Sequence, residues 1–172
     1  MVKMIGSLII IISGLIGGRL MGYQFQQRAR ELKEFHSALH LLETEISYGH
    51  TLLPIAVERL ANISPQPHKN YFNLFYKYLM NFQGLTADEA WMKTIKETAR
   101  NFCLKNEDWE VLKLYGRGLG SSDDQNQIRQ IKVAQKRLEQ LEEKASSESE
   151  KMSKLWNYIG ILTGMALVIL LY

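Results

Sequence analysis

Cysteine and proline are scarce in this chain of 172 residues. Cys103 is the single cysteine, so no internal disulfide can form. Three prolines are present and none follows Pro67, so most of the chain has no residue that forces a helix to break. The alternation of apolar and polar residues that marks a half-buried strand is also absent. These absences exclude a disulfide-stapled fold and predict an all-α protein.

Charge is missing from both ends of the chain. Residues 4–18 carry no charged side chain, and neither do residues 155–172. A bilayer core of about 30 Å requires a helix of roughly this length. The sequence therefore predicts three parts: a transmembrane segment at 1–23, a helical bundle domain at 24–154 and a second transmembrane segment at 155–172. Cleavage of the first segment as a signal peptide is disfavoured, because no Ala-x-Ala-like site follows it.

The basic residues indicate an orientation. All Lys and Arg except Lys3 and Arg19 lie in the middle domain, together with all 18 Asp and Glu. The positive-inside rule then predicts a cytoplasmic middle domain, with both termini on the opposite side of the membrane. Because acids and bases alternate along the predicted helices, a nucleic-acid-binding protein is not expected.

About six cytoplasmic helices are predicted, the first and last continuing into the membrane segments. The first carries an apolar stripe at spacings of three and four, and the last carries a near-heptad stripe that only Glu148 interrupts. Such stripes favour an antiparallel pair. Between them, we expect helices capped by Thr51, with Ile55 facing inward, and by Thr86, whose capping box with Glu89 is complete in sequence. Residues 116–120 hold three glycines and predict a turn between two helices.

No chemistry can be assigned to the candidate reactive residues. His36, His40 and Glu43 share a helix face at a spacing found in zinc sites, but no second cluster supplies further ligands. A solvated or partner-facing stripe is therefore preferred. Cys103, between two apolar neighbours, is predicted to be a buried, inert thiol. We expect no enzyme and no cofactor.

Small residues recur in the two terminal segments. Their spacing lets helix backbones approach closely, either within one chain or between copies in a homo-oligomer. Glycine is also simply common in transmembrane helices, so the two interpretations stand equal. The residues are Gly14, Gly18, Gly22, Gly160 and Gly164.

Two blocks of sequence carry a resemblance to a known family. One is Leu42-Glu-Thr-Glu-Ile-Ser-Tyr-Gly-His-Thr51, and the other is Leu112-Lys-Leu-Tyr-Gly-Arg-Gly-Leu-Gly-Ser-Ser-Asp123. Together with the terminal segments and the length, they resemble the stage III sporulation protein AB family of endospore-forming bacteria. Tyr115 departs from the phenylalanine expected before the glycines.

The resemblance implies a function beyond what the residues show. The family belongs to the apparatus that links mother cell and forespore, in the outer membrane of the developing spore. Its domain is similar to the F-type platform domain of type II secretion systems. That similarity implies docking of a secretion-type ATPase, stage III protein AA, beside other channel subunits. The alternative is a purely structural scaffold that clusters channel subunits. The motif residues without an evident structural role are Glu43, Glu45, Tyr48 and His50, which are candidates for the partner surface or for pairing within the domain.

Overall fold

The chain is described by a computed structural model that covers residues 2–47, 49, 51–81, 84–119 and 124–171. For residues 2–12, 14–15, 18–19, 21, 47, 124–128, 157, 167 and 170–171 it describes the backbone alone. Within these ranges all regular structure is helical, which confirms the all-α prediction. The helices are α1 (Val2–Ser47), α2 (Leu53–Ile63), α3 (His68–Met80), α4 (Ala87–Thr98), a 3₁₀ turn (Ala99–Asn101), α5 (Asn106–Leu119) and α6 (Asp124–Leu171).

The chain divides into two compact units. The terminal unit comprises Met1–Ala29 and Lys144–Tyr172, and the central unit comprises Arg30–Glu143. Helices α1 and α6 contribute residues to both units, whereas α2 to α5 belong to the central unit alone.

The predicted stripe of α1 forms the centre of the central unit. Four of its residues are fully buried, namely Leu32, Phe35, Leu39 and Leu42. The stripe of α6 is buried there too, at Ile131, Ala134 and Leu138. The Gln135 amide donates to the Leu39 carbonyl at 3.5 Å, and the His36 Nδ1 lies 2.7 Å from the Glu142 carboxylate. In these two pairs the residue number falls on α1 as it rises on α6, so the two helices are antiparallel in this unit.

Aromatic side chains fill the rest of this core. The Phe35 ring lies edge-on to the rings of His68 and Tyr71, at 4.5 and 5.2 Å between centroids. Trp91 lies edge-on to Phe75 at 5.0 Å, and its indole N–H donates to the Leu112 carbonyl at 2.9 Å. Edge-on pairs add to the energy of burial because a positive ring edge meets a negative ring face.

The prediction of a turn at residues 116–120 is wrong over its described part, since α5 continues through Gly116 and Gly118 to Leu119. A Cβ at Gly116 would lie 2.1 Å from Cδ1 of Trp91. The glycine is therefore explained by the close approach of the indole ring, not by a left-handed backbone. Gly120 and Asp123 lie outside the described residues.

The predicted start of α2 is also wrong in detail. Leu52 occupies the N-cap position, and the Thr51 hydroxyl instead donates to the Glu45 carboxylate at 2.9 Å. Ile55, expected to face inward, is 44% exposed. The start of α4 agrees with expectation, because the Thr86 backbone N–H donates to the Glu89 carboxylate at 2.9 Å.

In the terminal unit, α1 and α6 are again antiparallel but meet through small and polar residues. A Cβ on the buried Gly22 would lie 3.4 Å from Cα of Ser153, whose hydroxyl accepts from the Gln26 amide at 3.1 Å. The Arg28 guanidinium donates to the Glu148 carboxylate at 2.9 Å. Glu148, the interruption in the apolar stripe, is thus the partner of an arginine side chain only 3% exposed.

The other candidate packing glycines are described in part. Gly160 and Gly164 are buried, whereas the packing of Gly14 and Gly18 lies outside the description. Whether this glycine series packs membrane spans stays a prediction. Over the residues that the structure describes, no helix combines the length and the apolar character needed to cross a membrane.

Candidate partner-binding site

The motif block at residues 42–51 forms the end of α1 and the turn into α2. After Ser47 the chain folds back, with the Gly49 N–H donating to the Thr44 carbonyl at 3.3 Å and the Thr51 N–H to the Glu45 carbonyl at 3.1 Å. A Cβ at Gly49 would lie 2.7 Å from the Glu45 carbonyl oxygen. Only glycine fits this close return of the chain.

Glu45 is occupied within the domain. Its carboxylate accepts from the Thr51 hydroxyl at 2.9 Å and from Nη1 of Arg59 at 2.8 Å. These bonds join the end of α1 to the turn and to α2. The sequence left two roles open for Glu45, a partner contact or pairing within the domain, and the structure shows pairing within the domain.

The other three motif candidates are Glu43, Tyr48 and His50, of which the structure describes Glu43 alone. Glu43 is half-buried, and its charge adds to the effect of burial in raising the pKa of the Tyr115 hydroxyl well above its usual range. That hydroxyl donates to the Leu39 carbonyl at 3.3 Å. Tyr48 and His50 lie outside the described residues. A partner role for Glu43, Tyr48 and His50 stays a prediction.

Beside this turn lies an exposed apolar surface that sequence reasoning missed. We call it the α1–α2 face. Its large apolar side chains are Leu41 (38% exposed), Leu52 (70%), Ile55 (44%) and Ile63 (67%). The sequence of α2 could have indicated this surface, because its apolar residues are spread over two sides of the helix. Val57, Leu60 and Ala61 are buried in the core, whereas Ile55 and Ile63 are exposed.

The histidines that suggested a metal site are not brought together with further ligands. His36 pairs with Glu142 across to α6, and His40 is exposed. Among the described residues, no group of three or more His, Cys, Asp or Glu side chains is placed to hold a metal ion.

Cys103 is exposed, so the prediction of a buried thiol is wrong. Partial burial, and then the charge of Glu31, raise the pKa of this thiol. Glu31 is itself 2% exposed, and its carboxylate accepts the Cys103 backbone N–H at 2.7 Å. Sequence reasoning missed this buried acid, because its partner lies 72 residues away.

The Glu31 backbone carbonyl also forms a hydrogen bond with a buried histidine, His68. Nε2 of His68 lies 3.0 Å from the Glu31 carbonyl, and the ring is 2% exposed. Burial lowers the pKa of His68 to about 4, although the bond to Glu31 opposes the shift. His68 is therefore neutral near pH 7 and serves the core.

The described residues form six α-helices, which define an all-helical protein. It is organised around the first and last helices, which have 46 and 48 residues and run antiparallel in each unit. The family can also be identified. The family model of stage III sporulation protein AB matches residues 3–172, and the chain belongs to that family.

Two relatives agree with this assignment. The chain is 33% identical over 171 residues to stage III sporulation protein AB of Bacillus subtilis (strain 168), covering 99% of each chain. A solved structure of stage III sporulation protein AB matches with a TM-score of 0.69 and 34% identity, over 72% of this chain and 97% of that one. The resemblance found in sequence is confirmed, and the chain is a sporulation-associated protein.

Proposed function

We propose that this protein is a membrane platform of the channel complex joining mother cell and forespore, and that it docks a cytoplasmic secretion-type ATPase rather than catalysing a reaction itself. Membership of a sporulation family supports the setting. The ATPase is the stage III protein AA that the resemblance implies, beside other channel subunits.

One observation carries the membrane part of this proposal: the terminal unit turns its large apolar side chains outward. Ten such side chains are exposed among its described residues, while Gly22, Gly160 and Gly164 are buried. Water disfavours that arrangement, but lipid does not, and close helix packing in lipid uses small residues. The ten are Ile16, Leu20, Tyr23, Leu155, Tyr158, Ile159, Ile161, Leu162, Met165 and Ile169.

Charge placement supports the orientation. Lys144, Lys151 and Lys154 precede the uncharged residues 155–172, and Arg28 follows the first segment. We propose that 1–23 and 155–172 enter the membrane around the developing spore, that the domain at 24–154 lies in the cytoplasm, and that both termini lie on the opposite side.

Helices α1 and α6 offer a path for mechanical coupling, because each is one unbroken helix with residues in both units. ATP-driven motion at the central unit would reach the membrane along these helices. This step is an analogy with platform proteins at the level of the fold.

Reconstitution tests the proposal. The purified full chain is placed in lipid nanodiscs, the ATPase is added, and binding and ATP hydrolysis are measured against empty nanodiscs. We expect saturable binding and a changed hydrolysis rate. If the ATPase neither binds nor changes its rate, the platform function is contradicted.

The contact of Gly22 with Ser153 favours a second candidate, a structural scaffold without ATPase coupling. Gly22→Leu and Gly160→Leu separate the two. Loss of channel-subunit assembly, in a protein that never binds the ATPase, supports the scaffold. Loss of ATPase stimulation with assembly intact supports the platform.

A further inference from the structure

The α1–α2 face holds most of the exposed large apolar side chains of the central unit. Among the described residues of that unit there are six, and four of them lie on this face. The other two, Met80 and Val133, lie on α3 and α6. Concentration of exposed apolar residues at one place marks an interaction site more often than scattered ones do.

The spacing along α2 places these apolar residues in one ridge, with the exposed Arg59 between Ile55 and Ile63. Leu52 precedes the helix, and Ile55 and Ile63 are three and eleven residues further on, which places all three on one side of a helix with 3.6 residues per turn. Val57, Leu60 and Ala61 on the other side are buried. One side of α2 thus packs in the core, and the other exposes Leu52, Ile55 and Ile63 beside charged residues.

A groove runs beside this ridge, between α1 and α2, and has a volume of about 130 Å³. A protein cavity of about 150 Å³ takes up benzene, so the groove has room for one aromatic or branched aliphatic side chain. Its lining includes Glu34 and Leu41 from α1 and Leu60 and Ile63 from α2.

The charges beside the apolar residues point to the occupant. Arg59 lies among them, but its charge is matched by Glu45 at 2.8 Å. Glu34 on the groove and Glu58 on α2 are half-buried and exposed, and neither forms an ion pair or hydrogen bond within the described part of the chain. Arg30, one helical turn before Glu34 on α1, is exposed and offsets one of these two carboxylates. The charge that remains on this face is a small negative excess, which suits a basic partner.

We propose that the α1–α2 face docks an amphipathic helix of the ATPase, which inserts an apolar side chain into the groove and presents lysine or arginine to Glu34 and Glu58. Helix-in-groove binding uses this combination of an apolar ridge and a charged rim. A second copy of this chain fits less well, because a symmetric contact sets the same face, with the same carboxylates, against itself. The inference rests on the proposed function for the existence of the partner.

Affinity measurements on the full chain in nanodiscs, with the purified ATPase as the probe, test the inference. Ile55→Glu and Ile63→Glu each weaken binding at least about tenfold, the loss expected when a central apolar contact becomes a charge. Met80→Glu is the matched control, since Met80 is 46% exposed against 44% for Ile55. We expect its affinity to stay within about twofold of the wild type. Circular dichroism melting curves establish that all three variants are folded.

Charge reversal probes the rim separately. Glu34→Lys combined with Glu58→Lys weakens binding by about three- to tenfold at low salt, and the difference shrinks as salt screens the charges. Tighter binding or no change in this double variant overturns the basic helix as the occupant.

A photo-crosslinking amino acid in place of Ile63 identifies the occupant directly. A crosslink to a basic helix of the ATPase supports the inference, and a crosslink to a second copy of this chain overturns it. If the wild type binds the ATPase but Ile55→Glu and Ile63→Glu bind equally well, the docking face is wrong and the platform function stands. If the wild type binds no ATPase, the platform function itself fails and the inference with it.

Discussion

Helices α1 and α6 pack against each other through different kinds of residue in the central and terminal units. In the central unit α1 and α6 bury leucine, isoleucine and phenylalanine, and an aromatic cluster completes the core. In the terminal unit the two helices meet through glycine, serine and an ion pair, and large apolar side chains face outward. Burial of apolar area stabilises a domain in water, whereas small residues such as the buried Gly160 and Gly164 let helices pack closely in lipid. The Arg28–Glu148 pair lies in the part of the terminal unit that is proposed to be cytoplasmic. The difference supports two surroundings for one chain.

Two of the three tryptophans give the largest expected contrast. Trp91 is fully buried in the central unit, whereas Trp156 in the terminal unit is half-buried. Trp91→Ala lowers the free energy of unfolding by about 3–5 kcal/mol, because it removes a core side chain together with its hydrogen bond to the Leu112 carbonyl. Trp156→Ala costs less than about 1 kcal/mol. Urea unfolding of the full chain in detergent, followed by circular dichroism, measures both, and similar losses would contradict the contrast.

Acid should weaken the central unit through His68. Its pKa is about 4 in the folded chain against 6.5 when unfolded, so the unfolded chain binds the proton first. The stabilising effect of the neutral ring is complete above pH 6.5 and is lost as the pH falls from 6.5 to 4, by about 3 kcal/mol. All four histidines of the chain lie in the central unit.

His68→Gln isolates this effect, since glutamine keeps a donor for the Glu31 carbonyl but does not titrate. The unfolding free energy of the variant should fall less than that of the wild type between pH 6.5 and pH 4. Equal pH dependence of the two proteins rules out His68 as the cause.

The two arginine–glutamate pairs differ in burial and should differ in effect. Arg28→Met in the terminal unit costs about 2 kcal/mol, because its side chain is 3% exposed and Glu148 loses a partner while itself 31% exposed. Arg59→Met in the central unit costs less than about 1 kcal/mol, since the Arg59 side chain is 61% exposed. The reverse order in thermal unfolding would show that burial does not decide these contributions. Adding Glu148→Met to Arg28→Met should recover part of the loss.

Two glycines give the smallest expected contrast. Gly116→Ala should cost about 1–2 kcal/mol, because the new Cβ overlaps the Trp91 ring by more than the gain in helix propensity can offset. Gly22→Ala should change stability by less than about 0.5 kcal/mol, since its Cβ would lie at ordinary contact distance from Ser153. Differential unfolding in one detergent compares them, and a neutral Gly116→Ala would show that the indole ring can move aside.

Local pattern predicted the long helices, the core stripe of α1 and the start of α4, because each depends on residues close in sequence. Local pattern failed where contacts with residues distant in sequence determine the conformation or the exposure of a residue. Gly116 continues a helix because Trp91 packs on it, and Cys103 is exposed because of how the chain passes Glu31. The pairing of Glu45 with Arg59 and the outward side of α2 likewise depend on how α2 packs against its neighbours.

The proposal that residues 1–23 and 155–172 enter a membrane while the domain at 24–154 faces the cytoplasm is tested most directly by cysteine accessibility. Native Cys103 is exposed and reports on the central unit, and a cysteine at Val2 in a Cys103→Ser background reports on the terminus. In intact protoplasts that express the full chain, a membrane-impermeant maleimide at pH 8 should label the terminal cysteine at once and Cys103 only after permeabilisation. Labelling of Cys103 in intact protoplasts would contradict the proposal.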